Sequence, residues 1–395
     1  MRVLFTCVIG HGHFHPMVPL ARALERAGHQ VSFATDPTFC GYIRGVGFET
    51  HPAGLDQREA MARFAAATPG WADIAPQDRM PYQFPGLFAR TRVPPMLEDL
   101  GPIIDDWRPE LLIHESVEMA GAIAAEAAGI AHVEHSFGIL RPGTVRRAAT
   151  EVLAAICEGL GVRNPGIGGT GGELYLDICP PEMQQPEIAA LRSVQRLRPV
   201  GFDSAPDAVL PSWFAGLPPR PTVYVTMGTI FNEQVAIFRT ILDGLRDEPF
   251  NVIVTVGGAG DPANLGPQPE HVRVERYIPQ SQLLPHCDLF ISHAGSGAML
   301  GALTAGVPML AIPQGADQFM NAQAIARAGV GVRLLPSELD PIAVRDAIRR
   351  LIDDGRFATA AREQRVAIAA MPSPDSVVPI LESLVSPLTS RPGRN

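Results

Sequence analysis

Three histidines stand at alternate positions in "VIGHGHFHP", residues 8–16: His11, His13 and His15. An imidazole can take a proton from a nucleophile, ligate a metal, or only hydrogen-bond within a loop. The alternation admits all three readings. Some metal-dependent hydrolases carry HxH at the end of a first barrel strand, and His114, His135 and His293 could join such a set. A second chemical stretch is "ISHAGSGAML", residues 291–300, in which a strand ends at His293 and a Gly-Ser-Gly turn enters a helix. Free amides at a helix start, with the helix dipole, favour an anion such as a diphosphate. Gly295 and Gly297 permit close backbone approach, while His293 and Ser296 add donors.

These groups need elements to hold them. Residues 2–9 form an apolar run of strand length, followed by a loop with Gly10 and Gly12. Pro16 opens a helical pattern through Leu20, Ala23, Leu24 and Ala27 that stops at Gly28. "VSFATD", 31–36, is the next strand, so the order is strand, glycine loop, helix, strand. That order opens a doubly wound α/β domain. Further strands read at 111–115 and 131–136, with a helix at 117–128 between them. Residues 55–100 and 160–185 break the rhythm and read as long loops or short helices that build a pocket. The first of them carries Phe64, Trp71, Phe84 and Phe88 among prolines. The proline-rich stretch 202–221 reads as an interdomain linker. A second α/β series follows, with strands at 222–228, 251–257, 272–277, 289–295, 308–313 and 331–335. The expected architecture is α/β, two Rossmann-like domains facing across a cleft. The domains span 1–205 and 218–372, joined by a linker at 206–217 and followed by a terminal segment at 373–395.

Composition removes several classes. The net charge is −9 over 395 residues, with no basic run longer than two arginines, which argues against nucleic acid as a partner. All 32 basic residues are arginine, so P-loop and Schiff-base lysine chemistry is absent. Cysteines at 7, 40, 157, 179 and 287 have no CxxC spacing and suit a reduced, cytoplasmic chain. The opening residues lack the pattern of a signal peptide. The longest small-residue stretch, 119–133, contains Glu126 and is too short to cross a membrane.

Three stretches taken together resemble one family: "YIPQSQLLPHCDLFISHAGSG", "GVPMLAIPQGADQ" and the N-terminal "GHxxPM" pattern. They resemble GT-B glycosyltransferases of the family-1 type, most of all the bacterial group that decorates polyketides and related natural products. The resemblance spans almost the whole chain. It implies the GT-B fold, with a last helix at about 375–387 packed back on the N-terminal domain. It also implies inverting transfer of a sugar from a nucleotide diphosphate to an acceptor hydroxyl, with His13 as base. Glu115, in "LLIHES", would support His13 where the family usually has aspartate. Tyr277 would stack on the nucleobase, Ile278 would meet it through its backbone, and Gln280 would lie near the ribose. His293, Gly295, Ser296 and Gly297, with Gly228 and Thr229, would hold the diphosphate. Asp317 and Gln318 would bind the donor sugar. His11 and His15 would support the loop or line the acceptor mouth, with Phe64, Trp71, Phe84 and Phe88.

Two positions depart from the family pattern. Ala298 lacks the hydroxyl that many members have at the diphosphate turn. Gly301 replaces the glutamate with which UDP-sugar enzymes commonly accept bonds from both ribose hydroxyls. A carboxylate half unsatisfied beside a 2′-deoxyribose costs roughly 1–3 kcal/mol, so glycine here fits a dTDP-sugar. UDP-sugar is the alternative. The resemblance implies no metal and no cofactor beyond this co-substrate, since no DxD-type pair stands at a strand end. The partners implied are a nucleotide-sugar and a small aglycone, with no nucleic acid and no membrane insertion, and with a homodimer as an open alternative to a monomer. Two rivals stand beside this reading. The metal hydrolase is disfavoured by a chain that splits at a linker instead of repeating eight βα units. A non-catalytic donor-binding homologue is disfavoured by His13 with its acidic partner.

Overall fold

"LLIHE" at 111–115 and "TVYVT" at 222–226 are buried at every position. A strand covered by helices on both faces stays apolar throughout, which is the condition of a parallel sheet. The computed structural model describes residues 1–168, 172–202, 209–228, 235–258 and 260–385. It contains two such sheets. The first is built from β1 (Arg2–Thr6), β2 (Gln30–Thr35), β3 (Glu49–Pro52), β4 (Leu111–Glu115), β5 (Ala131–His135), β6 (Leu174–Asp177) and β7 (Val194–Arg196). Its order is β3-β2-β1-β4-β5-β6-β7, parallel throughout. The second comprises β8 (Thr222–Thr226), β9 (Asn251–Thr255), β10 (Val272–Glu275), β11 (Leu289–Ser292), β12 (Met309–Ala311) and β13 (Gly331–Arg333). Its order is β10-β9-β8-β11-β12-β13, again all parallel.

The structure corrects the sequence reading in three places. Strands β1, β8 and β11 stop at Thr6, Thr226 and Ser292, short of the apolar runs that contain them. The residues beyond are buried by the loops that carry the site rather than by pairing. Strands β3, β6 and β7 were not expected. β3 and β7 lie at the sheet edges and are largely half-buried, so they lack an apolar pattern. β6, "LYLD", is fully buried but ends on Asp177, whose carboxylate takes bonds from Arg196, Gln184 and the Cys179 amide. Third, residues 55–100 are mostly helical. Asp56 caps helix Gln57–Ala67 by accepting from the Glu59 amide at 2.8 Å. A continuous helical run covers 80–107, with Pro81, Pro85, Pro94 and Pro95 falling at the starts of its segments. Its middle, Phe84–Arg92, is wound as a π-helix, a form that often marks functional sites.

The last helix, Pro374–Val385, packs on helix Val18–Arg26 of the first sheet's layer. Val377, Val378 and Leu381 are buried there, with Arg26–Asp375 and His29–Glu382 pairs at 2.7 and 2.9 Å on the rim. Elsewhere the two sheets' layers meet through Arg327, whose guanidinium donates to the Met183 and Gln184 carbonyls.

Burial sets the pH response of this fold. It pushes His15 down to about 3, with His11 adding to the effect, and His135 and His293 down to about 4. In the unfolded chain these imidazoles return to about 6.5. The unfolded state therefore binds more protons between pH 6.5 and 4, and stability falls as pH drops through that window. Burial also raises Glu118 to about 7 and Asp177 to about 6, which acts in the opposite sense, lowering stability as pH rises through 4.5 to 7. The three imidazoles outweigh the two carboxyls. The unfolding midpoint is expected to fall between pH 6 and 4, by an amount on the order of several kcal/mol in stability. A midpoint that climbs steadily to pH 4 contradicts this balance.

Candidate active site

Ligands of open parallel sheets bind beyond the carboxyl ends of the strands, where the strand order reverses. In the first sheet that point lies between β1 and β4, and in the second between β8 and β11. His13 follows β1 and Glu115 ends β4. Gly228 follows β8, and His293, Gly295 and Ser296 follow β11.

Gly10, at φ 135°, turns the chain into a short helix, His11–Phe14, which carries all three ring positions of interest or leads into them. His13 and Glu115 meet: Nδ1 lies 2.8 Å from Oε1. Glu115 is fully buried, and its second oxygen accepts the Glu118 amide at 3.1 Å. The carboxylate keeps the proton on Nδ1 and leaves the Nε2 lone pair free to accept one. Phe137, after β5, packs edge-on to the His13 ring at 4.8 Å and fixes its plane.

His11 and His15 do not converge on His13. One turn apart, they turn toward Tyr42: His15 Nε2 lies 2.8 Å from the Tyr42 hydroxyl, and the His11 ring sits 4.5 Å from the Tyr42 ring. Phe39 and Phe202 complete this cluster. Among the described residues, no group of three or more His, Cys, Asp or Glu side chains is placed to hold a metal ion.

Two small cavities lie near the dyad. One is lined by Phe84, Ser116, Glu134, Arg141, Tyr175 and the Phe137 that packs on His13, among others. The second is lined by Asp36, Phe88, Arg92 and the Glu118 whose amide bonds Glu115, among others. Of the four aromatic residues expected at the acceptor site, Phe84 and Phe88 line these cavities. Phe64 and Trp71 instead pack on each other at 4.8 Å in a satellite cluster with Ala60 and Leu87. Phe64 is needed there to fill the space over Gly86, where a Cβ would meet its ring at 2.6 Å.

On the other sheet, His293 occupies a slot that only glycines leave open. A Cβ on Gly295 would fall 2.5 Å from its Nε2, and one on Gly228 would meet its Cε1. Gly228 has φ 72° as well. The structure leaves Gly297 open on its Cβ side. Thr229 lies outside the described residues. The Ser296 hydroxyl, expected on a phosphate, instead donates to Asp317 at 2.6 Å, and Asn321 bridges Ala294, Ser296 and Asp317. The Gln318 carboxamide oxygen accepts the amides of Gln314 and Gly315, which leaves only its NH2 for a ligand. Tyr277 is exposed while Ile278 is buried. Gln280 lies over Gly301, where a Cβ would come 2.7 Å from its Nε2.

The two halves of the site close on each other. Gly138 sits against Ser296, with no room for a Cβ, and Arg141 reaches to 4.0 Å from Asp317. Sequence reasoning missed Phe137, Gly138, Arg141 and Asn321. Only the glycine in "SFGIL" hinted at a close approach.

The N-terminal domain model of the erythromycin biosynthesis protein CIII-like family matches residues 22–228, and its C-terminal domain model matches 239–384. The chain belongs to this family. It is 34% identical to the L-demethylnoviosyl transferase of Streptomyces niveus, over 95% of this chain and 96% of that one. It is 30% identical to the 10-deoxymethynolide desosaminyltransferase of Streptomyces venezuelae, over 98% and 97%. The solved structure of spinosyn rhamnosyltransferase SpnG superposes with a TM-score of 0.81 at 26% identity, covering 97% of this chain and 100% of that one. That protein has also been solved with thymidine diphosphate and with spinosyn aglycone. This family member thus has the GT-B fold and is a glycosyltransferase that moves a sugar to an aglycone. Among its described residues, no helix is long and apolar enough to cross a membrane.

Proposed function

We propose that the enzyme transfers a deoxysugar from a dTDP-sugar to a hydroxyl of an apolar natural product, with inversion and without a metal. The observation that carries this reading is the His13–Glu115 pair, 2.8 Å apart, with Phe137 against its imidazole and the next residue, Gly138, against Ser296 of the turn after β11. In this mechanism the N-terminal domain, 1–205, holds the acceptor and the domain 218–372 holds the donor. The acceptor hydroxyl gives its proton to His13 Nε2 as its oxygen bonds to the anomeric carbon. The bond from that carbon to the diphosphate oxygen breaks with its electron pair, releasing dTDP. Attack from the face opposite the diphosphate inverts the anomeric centre. Glu115 stabilises the imidazolium that forms, and a base so placed contributes roughly 10²–10⁴-fold. Backbone amides at the start of helix Ser296–Ala305 take up the leaving charge. Tyr277 stacks on the base, Ile278 and Gln280 flank the nucleoside, and Asp317 and Gln318 meet sugar hydroxyls. Five free cysteines, four of them buried, support a reducing, cytoplasmic setting.

The test is a panel of dTDP-sugars and natural-product aglycones, followed by dTDP release and by NMR of the product anomer. Retention of configuration sinks the inverting mechanism. Loss of activity in EDTA with recovery in magnesium sinks metal independence. Nucleotide choice has its own measurement. Gly301 offers no acceptor for a 2′-hydroxyl, so calorimetry is expected to give dTDP an affinity equal to or above that of UDP. UDP binding tenfold tighter, about 1.4 kcal/mol, contradicts it.

A further inference from the structure

We propose that Arg141 selects against cationic aminosugars, so that the donor sugar of this enzyme is uncharged. The inference rests on the reading that the sugar lies between His13 and Asp317. Within that reading the geometry is specific. Arg141 connects the two sides, reaching Asp317 directly and His13 through the Phe137 ring. Its guanidinium lies 4.0 Å from Asp317 Oδ2 and stacks 4.6 Å above the Phe137 ring, which also packs edge-on against the His13 ring at 4.8 Å. Arg141 is also held by the Ile139 carbonyl and is 8% exposed. An arginine stays charged under all working conditions.

Two consequences follow for a sugar in this space. The carboxylate that would otherwise attract an ammonium group is already paired with Arg141 and bonded by Ser296 and Asn321. The guanidinium itself repels a second cation at short range, where screening by water is weak. A hydroxyl meets neither penalty, since it donates to Asp317 and accepts from Arg141. The other charged side chains around the adjoining cavity are Glu134 and Arg146. Glu134 accepts the Gly168 amide, and Arg146 donates to the Arg141 and Gly168 carbonyls, so both are engaged away from Asp317.

Calorimetry without acceptor tests this directly. The probes are dTDP, dTDP-6-deoxy-D-glucose and dTDP-4-amino-4,6-dideoxy-D-glucose, with the 3-amino isomer as a second cationic probe. The wild type is expected to bind the hydroxyl sugar at least tenfold more tightly than either amine. Arg141→Met, similar in length but uncharged, is expected to bring the ratio within about threefold by improving the amines, with dTDP affinity unchanged. A brace that only joins the domains would alter all sugars alike and leave the ratio. Equal wild-type affinities, or a ratio unmoved in Arg141→Met, overturn the proposal. Asp317→Asn separates the two levels. If it weakens the hydroxyl sugar relative to dTDP while Arg141→Met leaves the ratio, only the charge inference fails. If it leaves the hydroxyl sugar unaffected, the placement of the sugar fails and the inference falls with it.

Discussion

His13→Ala is expected to lower turnover by a hundredfold or more while leaving dTDP affinity within a factor of two or so. The first part follows from the value of a positioned base. The second follows from location, because the residues proposed to hold the nucleotide follow strands of the second sheet. Glu115→Gln keeps the shape of the pair but cannot balance the imidazolium. Its amide nitrogen would also face the Nδ1 proton in one of its two orientations, so a loss of roughly tenfold or more is expected. His11→Ala and His15→Ala disturb the Tyr42 cluster and are expected to act on thermal stability or acceptor affinity first. Single-turnover rates with saturating donor check the set. Near-normal turnover in His13→Ala, with loss in His11→Ala or His15→Ala, would move the base by two residues.

Gly228→Ala is expected to weaken dTDP by on the order of a hundredfold. Two costs combine. At φ 72° an L side chain pays roughly 1–2 kcal/mol. The new methyl also lands on the His293 ring, and overpacking of this kind costs about 1–3 kcal/mol. Displacing the imidazole relieves the collision only by removing it from the donor turn. Gly297→Ala, where the Cβ meets open space, is the control and is expected to weaken dTDP less than tenfold. The unfolding midpoint of each variant separates a donor defect from a folding defect. Equal dTDP affinity in wild type and Gly228→Ala would mean that His293 has no part in the donor site.

The scaffold was legible because parallel strands buried on both faces leave uninterrupted apolar runs. The inner strands β8, β9, β11 and β12 of the second sheet stand out in this way, while its edge strands β10 and β13 are partly exposed. Edge strands β3 and β7 do not, since partial exposure removes the pattern that reports them. The run 80–107 was hidden by prolines that read as breakers, although Pro81 sits in the first turn, where a helix does not need its amide. The Asp56–Glu59 spacing was the available sign of the helix before it. In the site, single residues in glycine-rich loops were readable through family spacing. Contacts across the domains were not. The glycine in "SFGILRPG" hints at a close approach, but not that Gly138 will touch Ser296 or that Arg141 will reach Asp317, because both depend on how two separately folded layers meet. Ser296 illustrates the same limit, since its hydroxyl turns to Asp317 only because helix Gln318–Arg327 brings Asn321 and Asp317 to the same turn.

The helix Pro374–Val385 has a practical consequence for recombining enzymes of this type. A hybrid cut once, in the linker, takes its donor half and its chain end from the same parent. The borrowed end would then have to fit the host's Val18–Arg26 helix, matching Arg26 with an acid at 375 and His29 with one at 382. A hybrid cut twice, once in the linker and again between Ala370 and Pro374, keeps that native seam while exchanging the whole second sheet. The doubly cut hybrids are the ones expected to be recovered as folded protein.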